Sequence, residues 1–375
     1  MSRFDKLVPD FIRSLAPYKP GKPLRQAERE SGIRCIKMAS NENPFGPSPK
    51  ALEAIRAAAA EVNLYPDMDA GELRTRLAER HNLQPDQVLL ADGSTALLDL
   101  LGRVLLAPGL NAVTSERSFI VYPIATRAAG GKLITVPMKD DGFDLDAIAA
   151  AITPDTRIVF IANPNNPTGT LLEAAAVDRF LERLPDHVLV VLDEAYCDFG
   201  SHFARARGIE YSHSLDYVRQ GRNVVVLRTF SKAHGLAGLR LGYGFGPPEL
   251  LQYLACVRTA FSVSAIAEAA GLAALEDEAH IRKTVENNAV QAPGLSQQLA
   301  AMGFRTIPTF ANFIYFDVGE DAVTVAKRMQ ANGVIVRPLN AWGAPTAVRV
   351  TVGTPEQNRA FVAALKKSTE RVAAG

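Results

Sequence analysis

Residues 158–196, IVFIANPNNPTGTLLEAAAVDRFLERLPDHVLVVLDEAY, decide the fold class of this chain. The stretch begins with a continuous apolar run, Ile158–Ala162, and nearly ends with a second one, Val188–Leu192. Between them, Leu171–Leu184 carries apolar residues at helical spacing. Continuous rather than alternating apolar runs are typical of strands that are buried on both faces of a parallel sheet. The stretch therefore predicts a strand–helix–strand unit in which helices cover a parallel sheet.

The same alternation continues on both sides of this stretch. Further apolar runs occur at Val88–Ala91, Leu133–Val136 and Val224–Arg228, and Asp144–Ile152 again has helical spacing. These repeats predict an α/β fold whose main body is a large, doubly wound and mainly parallel sheet.

Two regions depart from this pattern and suggest further domains. Residues 1–45 are punctuated by Pro and Gly and look too irregular for a sheet layer, so we expect an arm that lies over another surface. The region after residue 255 has longer predicted helices and strands: Ala265–Glu276, Ile281–Met302, Asn312–Phe316, Val334–Val336, Arg349–Val352 and Pro355–Arg371. We predict an N-terminal arm (1–45) that joins a small lobe, a large domain (46–255) and a smaller α+β C-terminal domain (256–375).

The composition excludes several classes of protein. Lys and Arg number 41 against 40 Asp and Glu, so no basic surplus points to nucleic acid. Three cysteines far apart argue against a disulfide framework and fit a reducing compartment. No apolar run approaches the ~18 residues of a membrane span, the first residues lack a signal-peptide pattern, and the six histidines show no metal-binding spacing. We expect a cytoplasmic protein without metal, membrane or nucleic-acid partners.

Ligands of open α/β sheets bind beyond the carboxyl ends of the strands, so the residues at those ends are the candidates for chemistry. Asp92-Gly93-Ser94-Thr95 follows the first apolar run and precedes a helix. A glycine followed by hydroxyl residues at a helix start suits a phosphate, although a simple N-cap explains the same pattern.

Two further strand ends carry polar residues. Asn165 and Asn166, in the turn after Ile158–Ala162, can donate to a ligand oxygen, or the turn can be a tight connection alone. Asp193 directly follows the next apolar run and is followed by Glu194-Ala195-Tyr196. A carboxylate there is costly to bury unless a cation meets it, and a local arginine is as good a partner as a ligand.

Lys232 lies near the end of the last of these strands, in TFSKAHGLAGLR, residues 229–240. A desolvated lysine is a nucleophilic amine, although exposed lysines are far commoner. A phosphate cradle, a buried carboxylate, Asn and Tyr donors and a lysine at successive strand ends together suit pyridoxal 5′-phosphate. The lysine would hold its aldehyde as a Schiff base, and Asp193 would keep the pyridine nitrogen protonated.

Several motifs carry a resemblance to a known family. NPNNPTG, DEAY and SKAHGLAGLR resemble the signatures of fold-type-I, pyridoxal-phosphate-dependent aminotransferases. LAPYKPGKP, ASNENPFGPSP, NLYPD, TFANF, GVIVRP and VRVTVGTPEQN are similar to motifs of the histidinol-phosphate aminotransferase family, in order from about Tyr18 to Asn358. The resemblance implies a fold-type-I enzyme whose large domain binds the cofactor.

The resemblance also implies roles for individual residues. Lys232 would bind the cofactor and shuttle a proton, Asp193 would pair with the pyridinium nitrogen, and Asn166 and Tyr196 would hydrogen-bond the phenolic oxygen. The phosphate would be held by residues that include Gly93, Ser94, Thr95, Thr229, Ser231 and Arg240. Phe119 would stack on the ring, with Tyr122 as the alternative. Tyr65 would reach the phosphate of a neighbouring subunit, which implies a homodimer with shared active sites.

The implied substrate contacts form an anion pocket. Arg349 would receive the α-carboxylate of glutamate through a bidentate fork and also the phosphate of histidinol phosphate. Arg337, Tyr18 and Asn41 would complete this pocket, whereas outside this context a lone arginine is more often part of a surface ion pair. The chain departs from the family at Thr95, Phe261 and Arg117, near the substrate pocket.

The leading hypothesis is the conversion of L-histidinol phosphate and 2-oxoglutarate to imidazole acetol phosphate and L-glutamate, in histidine biosynthesis. One alternative is an aromatic amino acid or prephenate aminotransferase. A second is a pyridoxal-phosphate-dependent phosphothreonine decarboxylase, and a third is a cofactor-binding sensor domain without activity. Gly242-Tyr-Gly-Phe-Gly246 mimics a dinucleotide-binding loop, but Pro247-Pro248 follows it and no ribose-binding acid is evident, so we discount it.

Overall fold

The computed structural model describes residues 3–17 and 22–369. The strands of this part of the chain are β1 Ile36–Lys37, β2 Val88–Ala91, β3 Asn111–Ser115, β4 Lys132–Val136, β5 Thr156–Ala162, β6 Leu189–Asp193, β7 Val224–Thr229, β8 Gly242–Phe245, β9 Arg305–Thr306, β10 Phe313–Asp317, β11 Val334–Ile335, β12 Arg337–Pro338 and β13 Ala347–Thr351. The helices are α1 Asp10–Arg13, α2 Leu24–Ser31, α3 Pro49–Ala58, α4 Gly71–Arg80, α5 Ser94–Leu105, α6 Val121–Ala128, α7 Leu145–Ala150, α8 Ala174–Leu181, α9 Cys197–Ala206, α10 Ser214–Arg219, α11 Pro248–Val257, α12 Ala265–Leu275, α13 Glu278–Ala301, α14 Ala322–Ala331 and α15 Pro355–Thr369.

The main body of the fold is a seven-stranded sheet in the order β2-β8-β7-β6-β5-β3-β4. Its strands run parallel except β8, which is antiparallel to both of its neighbours. The side chains of β2 and β6 are buried throughout, which explains their continuous apolar sequence. The prediction of an α/β fold with a large, mainly parallel sheet is therefore confirmed.

Two strands of this sheet were not predicted from the sequence. In β3, the polar side chains of Asn111 and Thr114 are buried because they bond to Thr153 Oγ1 (3.0 Å) and to the carbonyl of Phe160 (2.9 Å). β8 is the glycine-rich segment that mimics a dinucleotide loop. A Cβ at Gly242 would lie 2.2 Å from the amide nitrogen of Ser94, so glycine lets β8 run against the start of α5.

A second sheet has the order β12-β13-β10-β9 and is antiparallel. It shares a separate core with α13, α14 and α15, in which Leu295, Phe316, Val350 and Phe361 are buried. This agrees with the α+β character expected for the C-terminal region.

The arm contains one short strand, contrary to our expectation that it is too irregular for a sheet. β1 pairs in parallel with β11. The amides of Ile36 and Met38 each donate across 2.8 Å to a carbonyl oxygen in β11 or in the residue just before it. The pairing satisfies backbone groups of β11 that would otherwise form an open edge. It also leads residues 39–42 away from β11 and toward the carboxyl ends of the large sheet.

The predicted domain boundaries remain a prediction, and the packing bears on one of them. α12 lies in the predicted C-terminal domain, but its Ala267, Ala270 and Ala274 belong to the core of the large sheet. A boundary drawn by packing would therefore follow α12 rather than residue 255. No helix within residues 3–17 and 22–369 is long and apolar enough to cross a membrane.

Candidate active site

A cavity of about 260 Å³ lies at the carboxyl ends of β2, β5, β6 and β7. The predicted residues that line it are Asn41, Ser94, Thr95, Phe119, Asn166, Asp193, Tyr196, Thr229, Ser231, Lys232, Arg240, Arg337 and Arg349. Gly93 lies directly behind this wall, against the guanidinium of Arg240. Tyr65 lies elsewhere on the surface, and Tyr18 falls outside the described residues.

Lys232 follows β7 by three residues and enters the cavity from the large sheet. Its Nζ donates to the carbonyl oxygen of Ser40 across 3.2 Å. Burial lowers the pKa of this amine to about 8, with a further contribution from Arg349 that Glu42 partly opposes. A substantial fraction of the amine is therefore neutral and nucleophilic near physiological pH.

Asp193 is the last residue of β6, and its side chain is 5% exposed. The amide of Ala195 donates to Oδ1 across 3.2 Å, and the hydroxyl of Tyr122 donates to Oδ2 across 3.1 Å. Burial nevertheless raises the pKa of this carboxyl to about 6. Because no lysine, arginine or histidine nitrogen of the described residues lies within 4.0 Å of it, a cationic ligand would best stabilise its charge.

The aromatic residues near this carboxylate have different positions. Phe119 lines the cavity, whereas Tyr122 is fully buried behind it and stacks on Phe160 with ring centroids 4.8 Å apart. Phe119 packs edge-to-face against Tyr122 at 5.7 Å. Of the two rings considered for stacking on a cofactor, Phe119 is the one exposed to the cavity.

The residues predicted to hold a phosphate lie around the start of α5. α5 begins at Ser94, and no side chain of the described residues caps it. Ser94, Thr95, Thr229 and Ser231 all line the cavity beside this helix start. Gly93 has φ +101°, and a Cβ there would lie 2.7 Å from Arg240 Nη2. Arg240 itself has a left-handed backbone at φ 54°. An uncapped helix start, four hydroxyl side chains and a guanidinium thus belong to the same cavity wall.

A hydrogen-bonded group of side chains forms the middle of the cavity. The hydroxyl of Tyr196 accepts from Asn41 Nδ2 at 2.8 Å and from Asn166 Nδ2 at 3.3 Å. Arg349 donates through Nη1 to Asn166 Oδ1 and through Nη2 to the carbonyl of Ala39 at 2.9 Å. Asn41, predicted for the anion pocket, therefore connects the arm to Tyr196.

Two arginines of the second sheet also line the cavity. Arg337 on β12 and Arg349 on β13 are directly opposite each other in the strand register, and both line the cavity. Like charges placed directly opposite each other destabilise a strand pair, so an anion between them would relieve the repulsion. Glu42 also lines the cavity but forms an ion pair with Lys37 at 2.7 Å. Three arginines, Arg240, Arg337 and Arg349, therefore line the cavity.

Sequence reasoning missed some residues of the wall. Ser40 and Glu42 come from the arm, beside the predicted Asn41, and Trp342 comes from the turn between β12 and β13. Ser40 and Glu42 could have been found from the sequence, because they flank Asn41 within a motif. Trp342 is the single tryptophan of the chain and lies between the two predicted arginines in sequence.

Tyr65 lies in an exposed apolar region. Its side chain is 84% exposed, and its ring is 4.8 Å from that of Phe261. Together with Val62, Leu64 and Ile266 these rings line a surface groove of about 340 Å³.

Comparisons with known proteins place the chain in a family. A family model described as "Aminotransferase class I and II" matches residues 33–365. The chain is 47% identical over 370 residues to histidinol-phosphate aminotransferase 2 of Pseudomonas aeruginosa, covering 98% of this chain and 99% of the relative. It is 44% identical to histidinol-phosphate aminotransferase of Moorella thermoacetica, covering 96% and 92%.

A solved structure is similar over the whole fold. The crystal structure of histidinol-phosphate aminotransferase from Sinorhizobium meliloti, in complex with pyridoxal-5′-phosphate, matches with a TM-score of 0.88 and 30% identity, covering 99% of both chains. This similarity confirms the predicted fold-type-I architecture.

Proposed function

The chain belongs to the class I and II aminotransferase family, and from that premise we propose that it is a pyridoxal-phosphate-dependent histidinol-phosphate aminotransferase. The reaction converts L-histidinol phosphate and 2-oxoglutarate to imidazole acetol phosphate and L-glutamate, a step of histidine biosynthesis. The observation that carries the proposal is one cavity whose wall includes the half-buried Lys232, the buried Asp193 and three arginines, Arg240, Arg337 and Arg349.

The residues present fit pyridoxal 5′-phosphate. The glycine-lined cradle of Gly93, Ser94 and Arg240 would hold its phosphate, and Asp193 would meet its protonated pyridine nitrogen. Phe119 would cover one face of its ring, an interaction worth ~0.5–1.5 kcal/mol beyond area burial. When bound, this cofactor supplies the electron sink and carries the amino group between the two substrates.

The chain's own residues divide the remaining work. Lys232, with its lowered pKa, would hold the cofactor's aldehyde and then move a proton at the Cα of the substrate. Asn166 and Tyr196 would bind the phenolic oxygen of the cofactor. Because Arg349 donates to Asn166, substrate binding at the arginine end and cofactor binding in the middle share one hydrogen-bond network.

Arg337 and Arg349 would recognise the substrates. The guanidinium of Arg349 matches the planar fork of the glutamate carboxylate. The phosphate of histidinol phosphate carries more charge and more oxygen acceptors, which the second guanidinium of Arg337 can serve. The predicted contribution of Tyr18 to this pocket stays a prediction, since it lies outside the described residues.

We further propose a cytoplasmic homodimer with shared active sites. The exposed apolar region of Tyr65, Val62, Leu64 and Phe261 supports an association surface, because a monomer gains nothing from exposing it. Tyr65 would extend from this surface to the phosphate site of the partner. The three cysteines are free, which supports a reducing compartment.

The test is a half-reaction assay on the purified, cofactor-loaded protein. L-histidinol phosphate, phenylalanine, tyrosine and phosphothreonine are added separately, and the spectral conversion of the bound cofactor to its amino form is followed. We expect histidinol phosphate to react at least about 100-fold more efficiently than the others, since two well-placed charged contacts contribute several kcal/mol. Faster conversion by an aromatic amino acid, or carbon dioxide release from phosphothreonine, would overturn the proposed substrate.

A further inference from the structure

Trp342 occupies a distinctive place in the cavity wall. It ends a single 3₁₀ turn, Asn340–Trp342, that connects β12 to β13 and therefore joins the strands that carry the two arginines. The amide of Trp342 donates to the carbonyl of Leu339 across 2.9 Å, and Gly343 closes the turn at φ 74°. The hydrogen-bonded turn thus fixes the backbone position from which the Trp342 side chain extends.

Packing fixes the indole itself. Trp342 is 8% exposed and belongs to a small apolar cluster that includes Ile307, Tyr315 and Leu339. Its buried Nε1 has no hydrogen-bond partner among the described residues, so the ring is held by its faces and edges rather than by its N–H. Such a ring is a rigid platform for whatever lies on it.

Arg337 lies on this platform. Its Cζ is 5.0 Å from the centre of the Trp342 ring, within the range of a cation–π interaction. An arginine that is stacked before the ligand arrives loses less side-chain entropy on binding. The guanidinium of Arg349 is ordered differently, through hydrogen bonds to Asn166 and Ala39.

We propose that Trp342 is a positioning residue that holds Arg337 ready beside Arg349, and that it thereby selects amino donors with a phosphate dianion over donors with a carboxylate. The inference rests on the proposed function. A planar carboxylate is satisfied by the fork of one guanidinium, whereas a phosphate monoester has three terminal oxygens and a charge of about −1.5 to −2 near neutrality. Only the second ligand needs Arg337 in a defined place.

The experiment compares Trp342→Leu, which removes the platform, with Trp342→Phe, which keeps an aromatic face and removes the N–H. Each cofactor-loaded variant is assayed in the half-reactions with histidinol phosphate and with glutamate. We expect Trp342→Leu to lose about 10-fold in kcat/KM for histidinol phosphate, mostly through KM, and less than about 2-fold for glutamate. Trp342→Phe should stay within about 3-fold of the unmodified enzyme for both donors.

Ile307→Ala is the matched control for lost packing. Ile307 belongs to the same cluster as Trp342 but does not line the cavity. This variant should lower the unfolding temperature and leave the ratio of the two donors unchanged.

Inorganic phosphate provides a readout that needs no turnover of histidinol phosphate. It should inhibit the glutamate half-reaction of the unmodified enzyme competitively, and about 10-fold more weakly in Trp342→Leu. An equal loss with both donors, unchanged phosphate inhibition, or a Trp342→Phe variant as impaired as Trp342→Leu would overturn the inference. An unmodified enzyme that reacts with glutamate but not with histidinol phosphate would overturn the proposed function instead, and phosphate inhibition would still decide the role of Trp342.

Discussion

The hydroxyl of Tyr122 donates to Oδ2 of Asp193 across 3.1 Å, and both side chains are buried. Burial and the neighbouring carboxylate raise the pKa of Tyr122 well above its ordinary value, so the phenol stays protonated and remains a donor. In turn this hydrogen bond opposes the effect of burial on the pKa of Asp193. Tyr122 therefore favours the charged form of the carboxylate that the proposed cofactor requires.

Replacing Tyr122 by Phe should weaken cofactor binding. A hydrogen bond to a charged group contributes about 1.5–3 kcal/mol, so we expect a loss of about 10- to 100-fold in affinity for pyridoxal 5′-phosphate, measured by titration of the apoenzyme. Tyr211→Phe is the control, because that buried hydroxyl donates to the carbonyl of Asn163 at 2.5 Å instead. Equal affinities in Tyr122→Phe and the unmodified enzyme would contradict this role.

Asp193→Asn should stabilise the apoenzyme in a pH-dependent way. Burial raises the pKa of Asp193 from 3.8 to about 6, so the folded state prefers the protonated form, and stability is lost as pH rises through about 6. The free energy of folding that burial of the charged carboxylate costs grows from near zero below pH ~4 to about 3 kcal/mol above pH ~7. Urea unfolding at pH 4 and pH 8 should therefore show the variant more stable only at pH 8. With the cofactor bound, the unmodified protein should be the more stable of the two at pH 8, because the variant lacks the negative charge that pairs with the pyridine nitrogen.

Cofactor loading should follow the protonation of Lys232. Its amine has a pKa of about 8, and only the neutral form attacks an aldehyde, so the loading rate should rise with pH around a midpoint near 8. Arg349→Ala should move this midpoint upward, since the nearby guanidinium lowers the pKa of the amine. Stopped-flow absorbance, recorded as the apoenzyme is mixed with cofactor, measures the midpoint for the unmodified enzyme and for Arg349→Ala. Arg207→Ala is the control, because Arg207 does not line the cavity. A midpoint that ignores Arg349 would refute the electrostatic coupling.

Shared active sites can be tested by mixing two inactive variants. Lys232→Ala lacks the amine, and Tyr65→Ala lacks the side chain that we expect to reach the partner. In a mixed dimer with shared sites, one site carries both defects and the other is intact, so each mixed dimer should have about half of the unmodified activity. After random exchange of a 1:1 mixture about half of the dimers are mixed, and the mixture should therefore recover about a quarter of the unmodified activity. If Tyr65 acts within its own subunit, each site keeps one defect and no activity returns. Sedimentation of each variant alone shows whether the dimer persists.

Much of the large sheet could be predicted because each of its buried strands is marked by a continuous apolar run in the sequence. Apolar runs such as Val88–Ala91 coincide with strands, and the residues just beyond them line the cavity. β8 could not be predicted, since its Gly242 is required by a close approach to Ser94, which lies far away in sequence. The same applies to β1, whose two residues form a strand only because β11 is there to pair with them.

The site shows the same division. Lys232 and Asp193 could be picked out as candidates because each follows a predicted strand closely in the chain. Trp342 could not be picked out in this way, because its proposed role depends on a contact with Arg337 that sequence periodicity does not reveal. Tyr122 looked like a candidate for ring stacking, and only the fold shows that its hydroxyl faces Asp193 from behind.

The amide of Asn41 donates to Thr351 Oγ1 across 310 positions of sequence. A ribosome therefore finishes the whole large sheet, and the cradle at Ser94, long before the second wall of the cavity exists. During that interval the residues proposed to hold the phosphate have been made, whereas Arg337 and Arg349, proposed to bind the substrate, have not. The entropic cost of closing so long a loop is met only once β11 exists to pair with β1, so the second wall of the cavity is the last part of it that can form during synthesis.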